Sequence, residues 1–234
     1  MKCNSYILKT NIMKQDDIEY FVKEYYANCN SKSRYVSFDY CYNYFRTCAD
    51  LTDDMERSCL TLGFFLASWG MFRGKSLLEK SIKHYEETIE YIAEIPKDFW
   101  SIDVREYDTT IDIILEIYNE IRQKMVPDNR DLVVVSKVML GVFGFVPAFD
   151  DYFCSTFRYL SNNEYGFRRM NYKSLDYLFR FYLANKEVVD RLSSEMFTTD
   201  FRTGEKTSIN YPRAKIIDMF GWQQFKFLKD SQLL

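Results

Sequence analysis

The sequence CLTLGFFLASWGMFRGKS, residues 59–76, is the most informative part of this chain. From Cys59 to Phe72 it has no charged residue, and its apolar side chains fall on every side of a helical wheel. This pattern predicts a central helix that is buried all round. Its fourteen uncharged residues are too few to cross a bilayer, and they are typical of a helix in a protein core.

Three glycines of this region, Gly63, Gly70 and Gly74, are spaced seven and four residues apart. At about 100° per residue they lie within roughly 40° of one another on a helical wheel. A stripe of glycines lets another backbone approach closely. The spacing therefore predicts that the central helix packs through its glycines against one of two other strongly apolar helices, at 132–145 or after Pro212.

The composition predicts one all-α domain over residues 1–234. Only 8 Gly and 4 Pro interrupt 234 residues, which favours long helices. Apolar periodicity and helix stop signals predict about nine helices, among them a continuous helix from Leu77 to about Ile95 that ends before Pro96. A small β-hairpin is predicted at 198–210, around Thr203-Gly204, and residues 1–14 are predicted as a tail or an edge segment.

The charge balance gives no general attraction to nucleic acid or to anionic lipid, because the net charge is −3. One local basic run has aromatic residues between its cations, an arrangement that also occurs in nucleic-acid interfaces. A solvated loop is the preferred interpretation, and contact with nucleic acid is the alternative. The run comprises Arg158, Arg168, Arg169, Lys173 and Arg180.

The six cysteines and the single histidine exclude a standard zinc site, since there is no CxxC pair. We therefore expect no metal, and no motif indicates a cofactor. Reduced cysteines, no signal peptide and no membrane-spanning segment predict a cytoplasmic protein. His84 lies among charged residues and is predicted to be a surface helix residue with no catalytic role. The sequence does not indicate an oligomeric state.

The first candidate site is at the end of the central helix. Gly74-Lys75-Ser76 invites comparison with a P-loop, but only three residues separate Gly70 from Gly74 and an apolar helix precedes them. Arg73 and Lys75 flank a glycine turn at a predicted helix start, which favours an anion. Trp69 lies one turn before Arg73, where it can stack on a ring. The candidate ligand-binding residues for a small, nucleotide-like anion are Trp69, Arg73, Lys75 and Ser76. The alternative is a solvated helix junction.

The second candidate site combines Lys137 with Asp150. Lys137 lies inside an apolar helix, Pro147 ends that helix, and Asp150 and Asp151 begin the next one. Lys137 and Asp150 are weak catalytic candidates, as a proton-transfer or nucleophilic pair. The alternative is structural: the acids favour the positive end of the next helix, and Lys137 extends its ammonium group to water.

Three parts of the chain resemble a bacterial family of all-helical proteins that has no established activity: LASWGMFRG (66–74), SKVMLGVFGFVPAFDDYF (136–153) and YPRAKIIDMFGWQ (211–223). The family carries a W-G-M-aromatic-R-G helix end and a G-x-x-G-x-x-P-A-aromatic-D break. The resemblance implies an all-helical fold and supplies no function. A basic residue often follows the aspartate in that family, whereas Asp151 stands here. The lysine–proline–aspartate arrangement is also faintly similar to the helical hairpin of DNA-repair glycosylase-like folds, but it lacks their glycine-rich turn.

Two function classes follow from these observations. A binding or interaction protein without catalysis is favoured, and it predicts a large exposed apolar or aromatic patch and no convergent polar pocket. The alternative is an enzyme or sensor that acts on a nucleotide or a nucleic acid. It predicts a cleft at which Trp69, Arg73 and Asp150 meet.

Overall fold

The computed structural model describes residues 15–73, 75–127 and 132–230. The predicted all-α fold with one small hairpin is confirmed there, and the predicted tail at 1–14 lies outside these residues. The helices are α1 (Gln15–Ala27), α2 (Ser37–Thr47), α3 (Met55–Ser68), α4 (Lys75–Leu78), α5 (Glu86–Glu94), α6 (Tyr107–Met125), α7 (Leu132–Val142), α8 (Asp151–Leu160), α9 (Tyr172–Ala184), α10 (Lys186–Glu195) and α11 (Arg213–Asp230). The strands are β1 (Phe197–Thr199) and β2 (Lys206–Asn210). Several connections form 3-10 turns, at Arg34–Val36, Met71–Arg73, Ile82–Tyr85, Lys97–Ser101 and Val104–Glu106.

The centre of the core is formed by α7 and α11. Every residue from 134 to 149 and from 214 to 222 is buried. Because these stretches are apolar at almost every position, they are stable only where neighbours cover all their sides. α11 packs against α1, α8 and α10, whereas α7 packs against α2, α3 and α6.

The central-helix prediction for 59–76 is wrong in two respects. α3 ends at Ser68, and it is not buried all round, because the side chains of Leu60 and Phe64 are 53% and 72% exposed. It packs against α2, α5, α7 and the 3-10 turns at Ile82–Tyr85 and Met71–Arg73, which leave Leu60 and Phe64 uncovered. An apolar residue on a helix favours burial, but the available neighbours decide which faces are covered.

The predicted glycine stripe does not form either. Gly63 faces the ring of Tyr85, and Gly70 has a φ of +75° just beyond the end of α3. α3 does pack against α7, but there the glycine belongs to α7. A Cβ at Gly141 would lie 2.4 Å from the ring of Phe65, so only glycine at this position lets the α3 ring approach the α7 backbone.

The predicted continuous helix at 77–95 is divided in the structure. α4 ends at Leu78, Ser81 has an extended backbone with ψ of 167°, and α5 begins at Glu86 after a 3-10 turn. The break places His84 beside the end of α6, where its Nε2 donates to the carbonyl of Met125 at 2.8 Å. His84 is therefore half-buried and hydrogen-bonded, rather than a solvated surface residue as predicted.

The hairpin is joined to α2 and to the start of α11 by one buried carboxylate. Asp39 accepts hydrogen bonds from the backbone N–H of Thr199 at 2.8 Å and from the hydroxyl of Tyr211 at 2.7 Å. Burial raises the pKa of Asp39 to about 6, although the hydrogen bonds from Tyr211 and Thr199 act in the opposite direction. Asp39 therefore links α2, the hairpin and the start of α11, but burial of its ionised carboxylate lowers the stability of the fold by an amount that depends on pH.

We expect this cost to appear in the pH dependence of stability. The folded state binds the Asp39 proton more tightly than the unfolded chain, whose carboxyl has an ordinary pKa of 3.8. The stability that this group contributes is thus full below about pH 4 and is lost as the pH rises through about 6. The free energy of unfolding of Asp39→Asn, relative to wild type, should rise by about 2–3 kcal/mol over this window. Urea denaturation at a series of pH values measures it, and a difference independent of pH would contradict the prediction.

Candidate functional site

A cleft of about 410 Å3 opens where the end of α3, the middle of α7 and the start of α8 meet α11. We call it the α8 cleft. Its volume lies within the range of about 300–1,000 Å3 that is typical of small-molecule sites. The charged and aromatic residues that line it are Arg34, Trp69, Arg73, Lys137, Asp150, Asp151, Tyr152 and Trp222.

The two candidate sites predicted separately from the sequence line this one cleft. Trp69 and Arg73 come from the first, and Lys137 and Asp150 come from the second. The side chains of Lys75 and Ser76 lie outside the described part of the chain, as does Gly74, so their predicted role is not tested. α4 has only four residues, and a helix this short does not supply the anion-binding N-terminus that the sequence indicated.

Lys137 and Asp150 form an ion pair at the floor of the cleft. Lys137 Nζ lies 3.1 Å from Asp150 Oδ2, and the two side chains are 5% and 18% exposed. Asp150 Oδ1 accepts from the backbone N–H groups of Tyr152 and Phe153 at 3.1 and 3.0 Å, so the same carboxylate caps α8. One carboxylate thus starts a helix and holds a buried ammonium group.

The backbone before Asp150 is fixed by two side chains from other helices. Phe149 donates its N–H to Ser136 Oγ of α7 at 2.8 Å, and Ala148 donates its N–H to Asp218 Oδ1 of α11 at 3.1 Å. Pro147 does not end the preceding helix as predicted, because α7 already ends at Val142 and Gly144 has a positive φ of +76°. Since Pro147 has no N–H to donate, the bonds from Ala148 and Phe149 set the path of the chain into α8. The position of Asp150 is therefore determined from both α7 and α11.

A second buried ion pair lies next to the first. Lys215 Nζ is 2.7 Å from Asp218 Oδ2 and 3.2 Å from the hydroxyl of Tyr25. Both pairs line an internal chamber of about 10 Å3, together with Trp69 and Trp222. The two ammonium groups balance the two carboxylates, and a space of this size is too small for an organic ligand.

Sequence reasoning did not single out this second pair or Trp222. Lys215, Asp218 and Trp222 all lie within AKIIDMFGW (214–222), an apolar run. A lysine and an aspartate three residues apart face the same side of a helix. Two opposite charges inside an apolar run that must be buried indicate a buried ion pair, and this was the signal from which the pair could have been predicted.

Aromatic rings form part of the cleft lining, and cations of the protein already lie over them. The centroids of Trp69 and Trp222 are 6.4 Å apart. The guanidinium of Arg34 lies 5.3 Å from the Trp69 centroid and 6.0 Å from that of Trp222. Lys137 Nζ lies 4.8 Å from the Trp69 centroid. Such cation–π contacts hold the cations beside the cleft.

The turn after α3 brings Arg73 back toward the cleft. Gly70 adopts a positive φ of +75°, which an L-residue with a side chain rarely adopts, and this ends the helix. A Cβ at Gly70 would lie only 3.0 Å from Arg73 Nε, so the arginine side chain folds over the glycine. Arg73 is exposed, which leaves its guanidinium available to a ligand.

The charges that line the cleft favour an anion. Three cations, Arg34, Arg73 and Lys137, face two carboxylates, those of Asp150 and Asp151. Because Asp150 is already paired with Lys137, the two arginines outnumber the one remaining acid. A cationic ligand would meet cations of the protein on the Trp69 ring, whereas an anion would meet two guanidinium groups.

A second concavity, of about 470 Å3, lies between α2, α3 and the hairpin loop, and we call it the apolar groove. Leu60, Phe64 and Phe201 line it, and each is more than half exposed. Arg57, Asp200 and Arg202 also line it, but no lysine is among the described residues that line it. The groove is the exposed apolar and aromatic patch that the interaction class predicts. The polar α8 cleft is the feature that the enzyme or sensor class predicts, and the interaction class predicted that no such pocket exists.

Three other sequence predictions concern metal ions, membranes and the basic run. Within 15–73, 75–127 and 132–230, no group of three or more His, Cys, Asp or Glu side chains has the arrangement to hold a metal ion. No helix among these residues has the length and apolarity needed to cross a membrane. In the basic run, Arg180 pairs with Asp176 at 2.7 Å and Arg158 donates to Ser155, so two of its five cations are engaged locally.

The three parts of the chain that carry the family resemblance all contribute to the α8 cleft. The first supplies Trp69 and Arg73, the second supplies Lys137 and Asp150, and the third supplies Trp222. Membership of the bacterial helical family stays a prediction. Comparisons of this chain with protein-family models, with curated proteins and with solved structures found no match.

Proposed function

We propose that this protein binds a small anionic ligand with a planar ring, of the nucleotide class, in the α8 cleft. The observation that carries the proposal is that one cleft of suitable size is lined by two exposed arginines and by the rings of Trp69 and Trp222. Guanidinium groups are suited to phosphate, and aromatic side chains stack on planar bases.

In the proposed binding mode, the arginines of the cleft hold the phosphate and its aromatic residues hold the ring. The phosphate accepts hydrogen bonds from Arg34 and Arg73, which compensates the excess of positive charge. The ring stacks on Trp69 in place of the Arg34 guanidinium, which moves from the ring face to the phosphate. The Lys137–Asp150 pair at the floor offers a donor and an acceptor to polar atoms on the edge of the ring.

The proposal predicts that a nucleoside monophosphate binds more tightly than either of its halves. Adenosine monophosphate, guanosine monophosphate, adenosine and inorganic phosphate are titrated while tryptophan fluorescence and heat are measured. Arg73→Ala removes a charge-assisted hydrogen bond worth about 1.5–3 kcal/mol, so we expect the affinity for the monophosphates to fall about 10- to 100-fold. Trp69→Leu should weaken both the nucleotide and the nucleoside, since stacking contributes about 1–3 kcal/mol per base.

The matched control is Arg202→Ala, which removes an exposed arginine from the apolar groove. It should leave nucleotide binding unchanged. If neither monophosphate binds, or if Arg202→Ala weakens binding as much as Arg73→Ala does, then the proposal for the α8 cleft is wrong.

A further inference from the structure

We infer that Lys137 forms an imine with the carbonyl group of an anionic aldehyde or ketone bound in the α8 cleft, with Asp150 transferring the protons. The inference rests on the proposed function, because the cleft must first hold the anionic part of the substrate. It adds a covalent activity to binding and names the substrate class as phosphorylated carbonyl compounds.

The ion pair has a geometry suited to this step. Lys137 Nζ is 3.1 Å from Asp150 Oδ2, which is hydrogen-bond distance for direct proton transfer. Asp150 Oδ2 is the oxygen that does not cap α8, since Tyr152 and Phe153 both donate to Oδ1. The oxygen beside the amine is therefore able to take up a proton while the cap stays in place.

The chemistry balances without any further reactant. The ammonium of Lys137 gives one proton to Asp150, and the neutral amine adds to the carbonyl carbon. The nitrogen, now positively charged, passes a proton to the negatively charged oxygen, which gives a neutral carbinolamine. Asp150 then returns its proton to the carbinolamine hydroxyl, the carbon–oxygen bond breaks and water leaves. The product is a protonated imine on Lys137 beside the Asp150 carboxylate. The Lys137 nitrogen is thus positive beside the Asp150 carboxylate before and after the reaction, and both groups are neutral while the amine adds.

The surroundings of Lys137 favour reaction at this lysine over the exposed ones. Its side chain is 5% exposed, and its Nζ lies over the Trp69 ring at the floor of the cleft. A carbonyl compound whose phosphate is held by Arg34 and Arg73 is kept close to the amine, which raises its effective concentration there. Desolvated lysines beside a second catalytic group are typical nucleophiles for carbonyl substrates.

A structural role alone accounts poorly for this pair. A buried ion pair is often no more stabilising than apolar residues of similar volume, because both charges lose their hydration. α8 would be capped by Asp150 without any lysine. The lysine thus adds a desolvation cost that stability does not require, and it faces the cleft.

The test uses pyridoxal phosphate as the probe, because it combines a planar ring, a phosphate and an aldehyde. The full chain is incubated with it, the imine is reduced with borohydride, and the labelled lysine is identified by mass spectrometry of peptides. We expect label at Lys137 to exceed that at Lys83, whose side chain is 78% exposed, by at least about tenfold. Asp150→Asn, which keeps an oxygen for the α8 cap, should slow labelling of Lys137 by at least about tenfold.

The outcomes separate this inference from the proposed function. Adenosine monophosphate should protect Lys137, and pyridoxal without its phosphate should label it more slowly. Equal labelling of Lys137 by both aldehydes would support the imine and count against the anion site. Binding of pyridoxal phosphate, seen by tryptophan quenching, with no preference for Lys137 would overturn the imine and leave the anion site standing. Absence of both binding and label would overturn both.

Discussion

Replacing Asp150 with alanine is expected to lower the free energy of unfolding by about 3–5 kcal/mol, the usual cost of removing one partner of a buried ion pair. The substitution leaves the ammonium of Lys137, in a side chain only 5% exposed, without the carboxylate at 3.1 Å. It also removes the acceptor for the N–H groups of Tyr152 and Phe153, a cap worth about 1 kcal/mol. Urea denaturation at neutral pH measures the change.

The neighbouring acid provides a matched control. Asp151 is exposed and lies in the first turn of α8, so Asp151→Ala should cost less than about 1 kcal/mol through the helix dipole alone. Asp150→Asn keeps the cap and loses the charge, and its cost should fall between the other two. Equal losses for Asp150→Ala and Asp151→Ala would contradict the argument that a buried Lys137 ammonium without its carboxylate destabilises the fold.

A double substitution separates the pair from its parts. Lys137→Met together with Asp150→Asn removes both charges and keeps an oxygen for the α8 cap. Because replacing a whole buried pair is often neutral, the double variant should be more stable than Asp150→Ala. A double variant that is as stable as wild type would show that the stability of the fold does not require the pair.

Asp103→Ala is the second substitution with a large expected effect, a loss of about 3–4 kcal/mol. Asp103 is 7% exposed, and its carboxylate accepts from the backbone N–H groups of Val104, Arg213 and Ala214 at 2.7, 2.8 and 2.9 Å. The last two are first-turn donors of α11 that have no partner within their own helix. Alanine would leave three backbone donors in a region of low accessibility without an acceptor, at about 1 kcal/mol or more each.

The comparison for Asp103 is an ordinary helix cap. Asp54 accepts from Arg57 N at 3.1 Å at the exposed start of α3, so Asp54→Ala should cost about 1 kcal/mol. Urea denaturation of both variants under one condition gives the difference. A loss for Asp103→Ala no greater than that for Asp54→Ala would contradict the argument that one carboxylate fixes two elements.

Sequence reasoning identified several cleft residues without showing that they belong together. Trp69 and Arg73 were identified because they lie at the predicted end of a helix. Lys137 and Asp150 were identified because they are charged residues on either side of Pro147. Each of these signals is local, since it depends on neighbours within one or two helical turns. The distance between the Trp69–Arg73 pair and the Lys137–Asp150 pair depends on how α3 packs against α7, and local sequence patterns do not predict that packing.

The residues that sequence reasoning missed belong to elements whose local pattern is ordinary. Arg34 follows a polar loop and Tyr152 lies in the first turn of an amphipathic helix, so neither departs from its surroundings. Only their positions beside Trp69 and Trp222 give them a place in the cleft. Lys215 and Asp218 did carry a local signal, two opposite charges within an apolar run.

The sequence by itself determined the helical class, the hairpin and, to within one residue, the start of the last helix, which was predicted at Pro212 and begins at Arg213. These features depend on backbone sterics and on hydrogen bonds between residues that are close in the chain. The spacing of apolar residues and the positions of glycine and proline therefore indicate them directly. Only the tertiary structure decided that α3 leaves one face exposed and that Asp103 holds the start of α11 from 111 residues away. It also decided that residues of two separate candidate sites line one cleft. Burial and electrostatic pairing depend on which surfaces meet, and that depends on the whole chain at once.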